Sequence, residues 1–217
     1  MSILQFIFLG ILQGLTEFLP ISSSGHLVLA PALLQWNIPE DKAFVFNILV
    51  QVATLLAVIA YFRKDILDIL RAVITGLIKG KPFEEPLARL GWFIILATIP
   101  AGLAGLLIKD TVEDAFSSPS LTAIFLLVTA GLLFISEKLG KRQQDLYSMN
   151  WIDALVIGIG QALAIFPGIS RSGATITAGM IRNFERPSAA RFSFLMSIPI
   201  MLAAGLLASL DLLNTPN

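Results

Sequence analysis

The chain has 217 residues, 56% of them hydrophobic and 14% charged, with zero formal net charge and a mean hydropathy of +0.82. Soluble domains carry about 25% charged residues, so the composition excludes an ordinary soluble core and predicts an integral membrane protein. Balanced charge argues against nucleic acid as a partner, and the absence of cysteine removes disulfides, a thiolate nucleophile and sulfur metal ligands.

A helix needs about 20 apolar residues to cross a bilayer, and the stretches are taken in chain order against that length. The N-terminal MSILQFIFLGILQG lacks a basic leader and a small-residue cleavage site, so it does not read as a signal peptide. Met1–Thr16 and Leu27–Trp36 are both too short to span, and they flank a Pro/Ser/Gly turn. They predict a re-entrant helix hairpin over residues 1–36. Phe44–Phe62 is long enough to span. Residues 65–79 place Ile66, Leu67, Ile69, Leu70, Val73, Ile74, Leu77 and Ile78 at helical spacing, as expected of a helix lying along a membrane interface. Leu90–Ile108 and Ala115–Ser136 are two further spans. Ala154–Ser170 is borderline and runs into Pro167-Gly168, and Ser172–Ile181 is short. Together they predict a second hairpin over residues 151–181, and Phe192–Leu210 is the last span.

Lys and Arg mark the cytoplasmic side. They cluster after Phe62 (Arg63, Lys64, Arg71, Lys79, Lys81, Arg89), after Ser136 (Lys138, Lys141, Arg142) and before Phe192 (Arg182, Arg186, Arg191). Parity then brings the second hairpin in from the cytoplasm and the first from outside. Oppositely inserted repeats with broken helices place their sites near the midplane. The expected fold is therefore all-α: one polytopic membrane domain over residues 1–217. Its first repeat is 1–108, its connecting span 115–136, and its second repeat 151–217, which by internal symmetry lacks a counterpart for the last two helices.

One pattern occurs twice. GILQGLTEFLPISSSGH (Gly10–His26) and GIGQALAIFPGISRSGA (Gly158–Ala174) match at nine of seventeen positions without a gap, 148 residues apart. The first copy alone carries Glu17 and His26, and the second alone carries Arg171. Gln13 and Glu17, four apart, share one helix face. An ionisable residue at membrane depth is costly and reads as functional. A plain ion pair would account for Glu17 and Arg171 but not for the serines or His26. Ser22 and Ser170 can be ordinary N-caps. Yet Ser22, Ser23, Ser24, Ser170 and Ser172 all gather where two half-helices begin. There, free N–H groups and the positive dipole end suit phosphate, and Arg171 adds bidentate recognition. His26 is the only histidine and closes the acidic turn, where it can serve as acid, base or nucleophile toward phosphorus.

QGLTEFLPISSSGH and PGISRSGAT (Pro167–Thr175) resemble the two signature regions of bacterial undecaprenyl-pyrophosphate phosphatases of the bacitracin-resistance type. The first signature falls on Gln13 and Glu17, where Gln13 replaces an acid that many members carry. The second falls on Pro167, Gly168, Ser170, Arg171, Ser172 and Thr175. The resemblance implies inverted re-entrant repeats and removal of the terminal phosphate of undecaprenyl pyrophosphate at the outer face of the bacterial plasma membrane. It also implies recycling of the lipid carrier for peptidoglycan synthesis, with two further C-terminal helices in most members. On this reading Glu17 is a general base and the holder of a divalent cation, Mg²⁺ or Ca²⁺. His26 or Ser23 is the nucleophile or proton shuttle, and Arg171 stabilises charge in transfer. Gln13, Ser22, Ser24, Ser170, Arg171, Ser172 and Thr175 bind phosphate. The expected partners are the polyprenyl pyrophosphate and membrane lipids, with a homodimer favoured by an exposed apolar flank. The competing reading is a polyprenyl-phosphate transporter, because inverted repeats are transporter architecture.

Overall fold

The computed structural model describes residues 2–214; positions 1 and 215–217 of the expected domain lie outside it. Among the described residues the regular structure is helical, apart from one isolated bridge between Gln144 and Phe184. The helices are α1 (Ile3–Thr16), α2 (Ser23–Leu33), α3 (Glu40–Tyr61), α4 (Arg63–Ile78), α5 (Pro86–Leu107), α6 (Lys109–Phe116), α7 (Pro119–Leu139), α8 (Trp151–Leu163), α9 (Arg171–Ile181) and α10 (Arg186–Asn214). Three are long and apolar enough to cross a membrane: Pro86–Leu107, Pro119–Leu139 and Arg186–Leu207. The bent pair Val45–Tyr61 and Arg63–Ile78 makes a fourth if counted as one span. With large apolar side chains such as Leu4, Leu107 and Leu127 facing outward, this is a membrane protein.

Local sequence accounts for the helix ends. Ser2 caps α1 and Asn150 caps α8, each in a reciprocal capping box. The chain bends by 73° between α3 and α4, and α4 then packs on α5. Its inward face is Ile69, Ala72 and Gly76, while Leu67, Leu70 and Ile74 stay exposed. The span read as Ala115–Ser136 begins instead at Pro119. Ser118 caps α7 with Pro119 in its first turn, so Ala115 and Phe116 finish the short helix α6.

The core lies where α5, α8, α9 and α10 meet, centred on Ile157, Phe184, Phe192 and Met196. Small residues let these helices approach closely. A Cβ added at Gly158 would sit 2.5 Å from the Ala97 carbonyl oxygen, and one at Gly179 would sit 3.0 Å from the Ala189 Cβ. In both turn-bearing pairs the arms pack side by side, α1 on α2 and α8 on α9. Their open ends are also closed. Phe8 meets Trp36 edge-on at 5.6 Å, and Arg182 Nε donates to Asp153 Oδ1 at 2.6 Å. Further ion pairs tie the start of α10 to α7 through Arg186 and Glu137, and to α4 through Arg191 and Asp65.

Candidate active site

The two matched turns repeat the same local hydrogen bonding. Ser22 Oγ accepts from Gly25 N–H at 3.2 Å, and Ser170 Oγ accepts from Gly173 N–H at 3.0 Å. Ser22 and Ser24 hydroxyls lie 3.2 Å apart, as do those of Ser170 and Ser172. Each turn thus spends its first serine on capping a half-helix. The backbones differ in how they reverse direction. In the second turn Gly168 takes the positive φ, +97°. In the first, Ser22 itself sits at φ 65°, a conformation that is costly for a residue with a Cβ.

The turns meet at their tips. A Cβ on Gly25 would lie 3.2 Å from Gly168 Cα, and Ser172 Oγ donates to the Leu19 carbonyl at 2.9 Å. That closeness brings together charges separated by 154 residues: Arg171 Nη2 donates to Glu17 Oε1 at 3.1 Å. The pair is largely shielded, with Arg171 and Glu17 side chains 15% and 11% exposed. Glu17 Oε2 accepts from Gln13 Nε2 at 2.8 Å and from Ser23 Oγ at 2.5 Å. Three donors therefore converge on one carboxylate. Two atoms of the cluster stay unused, Arg171 Nη1 and Gln13 Oε1, both buried without a partner. Buried polar atoms are rarely left so.

His26 joins through the backbone. Its Nδ1 lies 2.7 Å from the Ser22 carbonyl oxygen. A carbonyl only accepts, so Nδ1 carries a proton, which leaves Nε2 as the acceptor in the neutral ring. His26 follows Ser23 by three residues in α2 and so shares its face. Thr175 is placed differently. Its hydroxyl proton goes to the Arg171 carbonyl at 2.8 Å, and Ser193 of α10 donates to it at 2.7 Å. Fully buried, Thr175 commits its hydroxyl to the first turn of α9 and to Ser193.

Two residues that the sequence reading did not single out hold the second turn. Thr129, inside α7, donates to the Gly168 carbonyl at 2.9 Å and accepts from Ser170 N–H at 3.0 Å. Ser193 braces Thr175. The available signal was a buried polar residue in an apolar helix: Thr122 and Thr129 lie seven apart on one face of α7.

A divalent cation finds one carboxylate here, with the orphaned Gln13 Oε1 beside it. Among the described residues no group of three or more His, Asp or Glu side chains could hold a metal ion. Hard cations are nevertheless often bound by one or two carboxylates with substrate phosphates completing the shell, and the donor set fits that mode.

Residues 6–217 match the family described as Bacitracin resistance protein BacA. A curated relative named undecaprenyl-diphosphatase from Chlorobaculum tepidum is 46% identical, over 95% of this chain and 75% of the relative. Proteins of the same name from Thermomicrobium roseum and Marinobacter nauticus are 44% and 46% identical. Those alignments cover 99% and 97% of this chain and 79% and 78% of the relatives.

Proposed function

From the membership of this chain in the bacitracin resistance protein BacA family, we propose that it hydrolyses undecaprenyl pyrophosphate to undecaprenyl phosphate and orthophosphate. The observation that carries the reading is the Glu17–Arg171 contact with a buried guanidinium nitrogen left over. That nitrogen is a charged donor that the ion pair with Glu17 does not use. Arg171 Nη1, the amides opening α2 and α9, and the hydroxyl of Ser24 are the groups for the pyrophosphate oxygens. Ser22, Ser170 and Ser172 shape the turns that present them.

Ser23 Oγ, hydrogen-bonded to Glu17, has the nucleophile-and-base arrangement. In the first step Glu17 takes the Ser23 proton, and Oγ bonds to the terminal phosphorus. The bridging P–O bond breaks, and undecaprenyl phosphate leaves. In the second step water attacks the phosphoserine. Its proton passes to His26 Nε2, Glu17 returns the first proton to Oγ, and orthophosphate departs. Glu17 and Gln13 Oε1 are the residues that would hold a divalent cation, which would offset phosphate charge during transfer. The two hairpins are re-entrant and oppositely inserted, and the headgroup reaches the turns from the exterior of the bacterial plasma membrane. The basic clusters support that orientation.

The test is orthophosphate release from a prenyl pyrophosphate by the detergent-purified protein. Wild type should turn over, and Glu17→Gln and Arg171→Ala should each lose at least about 10²-fold in kcat. Either variant at near-normal turnover would sink the assignment. A protein that only carried the lipid phosphate across the membrane would release no orthophosphate at all.

A further inference from the structure

Where α7 ends and α10 begins, a basic cluster stands apart from the two turns. Arg142 Nη2 donates to Glu137 Oε2 at 2.6 Å and to the Glu137 carbonyl at 2.8 Å, and Arg186 Nε donates to Glu137 Oε1 at 3.0 Å. Two guanidinium groups therefore share one carboxylate. Lys138 and Lys141 are exposed beside them, and among the described residues neither enters an ion pair. Of the other acids nearby, Asp145 accepts from Ser148 N–H at 2.8 Å within its own turn, and Glu185 is exposed. Positive charge is in excess. The cluster also sits on fixed backbone. Lys141 N–H donates to Asn183 Oδ1 at 3.1 Å, the Gln143 and Gln144 amides both donate to the Asn183 carbonyl at 2.9 Å, and Glu185 N–H donates back to Gln144. Arg142 itself stands at φ 56°, which glycine adopts freely and a residue with a Cβ only at a cost. Such a cost is kept where the side chain is used. Yet both protein bonds of Arg142 leave from Nη2, and its Nε is buried without a partner. The wall next to the charges is apolar. Phe134 and Leu139 of the membrane-spanning α7 are 66% and 63% exposed, and Lys138 Nζ lies 5.6 Å from the Phe134 ring centroid.

We propose that this ledge binds an anionic phospholipid, with the phosphate on Lys141 and Arg142 and the acyl chains along Phe134 and Leu139. Basic side chains clustered at the end of a span attract anionic headgroups, and a rigid ledge loses little side-chain freedom on binding. A zwitterionic lipid brings its own cation into a site already rich in them. Free phosphate satisfies the charges but leaves the apolar wall unused. The site is independent of the turns that hold Glu17 and Arg171, and only its assignment to the cytoplasmic leaflet rests on the orientation proposed above.

The experiment titrates delipidated protein in detergent with phosphatidylglycerol or phosphatidylcholine and counts bound lipid by native mass spectrometry. Wild type should hold phosphatidylglycerol in preference to phosphatidylcholine. Lys138→Gln combined with Lys141→Gln should weaken phosphatidylglycerol about 25-fold, or about fivefold for each cation removed near the membrane surface, and leave phosphatidylcholine unchanged. Because both side chains are exposed and unpaired, the thermal midpoint without added lipid should match wild type. Should the double variant not purify as folded protein, Lys141→Gln alone should weaken phosphatidylglycerol about fivefold. Lys79→Gln combined with Lys81→Gln, in the other basic loop, should change nothing. Equal binding of the two lipids by wild type, an unchanged affinity in the first variants, or an equal loss in the Lys79/Lys81 pair overturns the proposal. Inorganic phosphate that competes as well as phosphatidylglycerol overturns it too, since the apolar wall would then play no part.

Discussion

A single carboxylate carries most of the site. Glu17 has no counterpart in the second turn, where Ile165 occupies the matched position. Gln161, the counterpart of Gln13, consequently has no carboxylate to donate to, and both its amide atoms are buried without partners. The duplicated pattern thus diverged into one half bearing the base and one half bearing the cation. Thr129 shows how much depends on a residue that never touches the carboxylate. Replacing it with Val removes both of its hydrogen bonds and strands the buried Ser170 N–H. The expected cost is about 1–3 kcal/mol, read as a lower thermal midpoint in detergent. Activity should fall more than stability, because Ser170 begins the helix that carries Arg171. A Thr129→Ser variant, which keeps the hydroxyl, should recover most of both. An unaltered midpoint in Thr129→Val would show that α7 does not hold the turn.

Helix contacts in this molecule are set by backbone approach more than by side-chain bulk. Lipid tails are as apolar as leucine, so burial of apolar area contributes little drive between membrane helices, and close packing takes its place. Gly158 and Gly102 separate these effects. Gly158→Ala would drive a methyl into the backbone of α5 at Ala97, and overpacking of that kind costs about 1–3 kcal/mol. Gly102 sits in α5 with nothing within 4 Å of an added Cβ, and Gly102→Ala should stabilise by about 0.5–1 kcal/mol through the lost glycine entropy. Opposite signs in thermal denaturation are the expected result; the same sign for both would mean that the α5–α8 contact is looser than described. Gly168→Ala should be worse than either. It combines a positive φ with a Cβ 2.3 Å from the Thr122 carbonyl oxygen, so the second turn should not form and orthophosphate release should vanish.

At the scale of the whole molecule the proposed re-entrant, oppositely inserted hairpins are open to a direct test. The natural absence of cysteine makes single-cysteine labelling clean. Asn37→Cys, just past the first hairpin, should react with a membrane-impermeant maleimide in intact cells. Lys81→Cys and Gln143→Cys, in the basic loops, should react only after permeabilisation. An Asn37 site that stays silent until permeabilisation would put both hairpins on the same side and remove the inverted arrangement. The ion pairs of Arg186 with Glu137 and of Arg191 with Asp65 gather α4, α7 and α10 near the basic loops.

Sequence by itself determined that this is a helical membrane protein, because apolar run length and charge distribution are one-dimensional properties that act along the chain. It also determined the two matched turns and the residue types within them, since N-capping by Ser22 and Ser170 involves partners only three residues away. The matched turns already led to the expectation that Glu17 and Arg171 share one site, and tertiary structure decided the contacts within it: Arg171 donates to Glu17 directly, Ser23 shares the carboxylate, and Thr175 turns its hydroxyl to Ser193. It likewise decided that the seventh helix starts at Pro119 and that Thr129 holds the second turn. These depend on distances between segments far apart in the chain, which are set by how closely the helices can pack, and no local pattern encodes them.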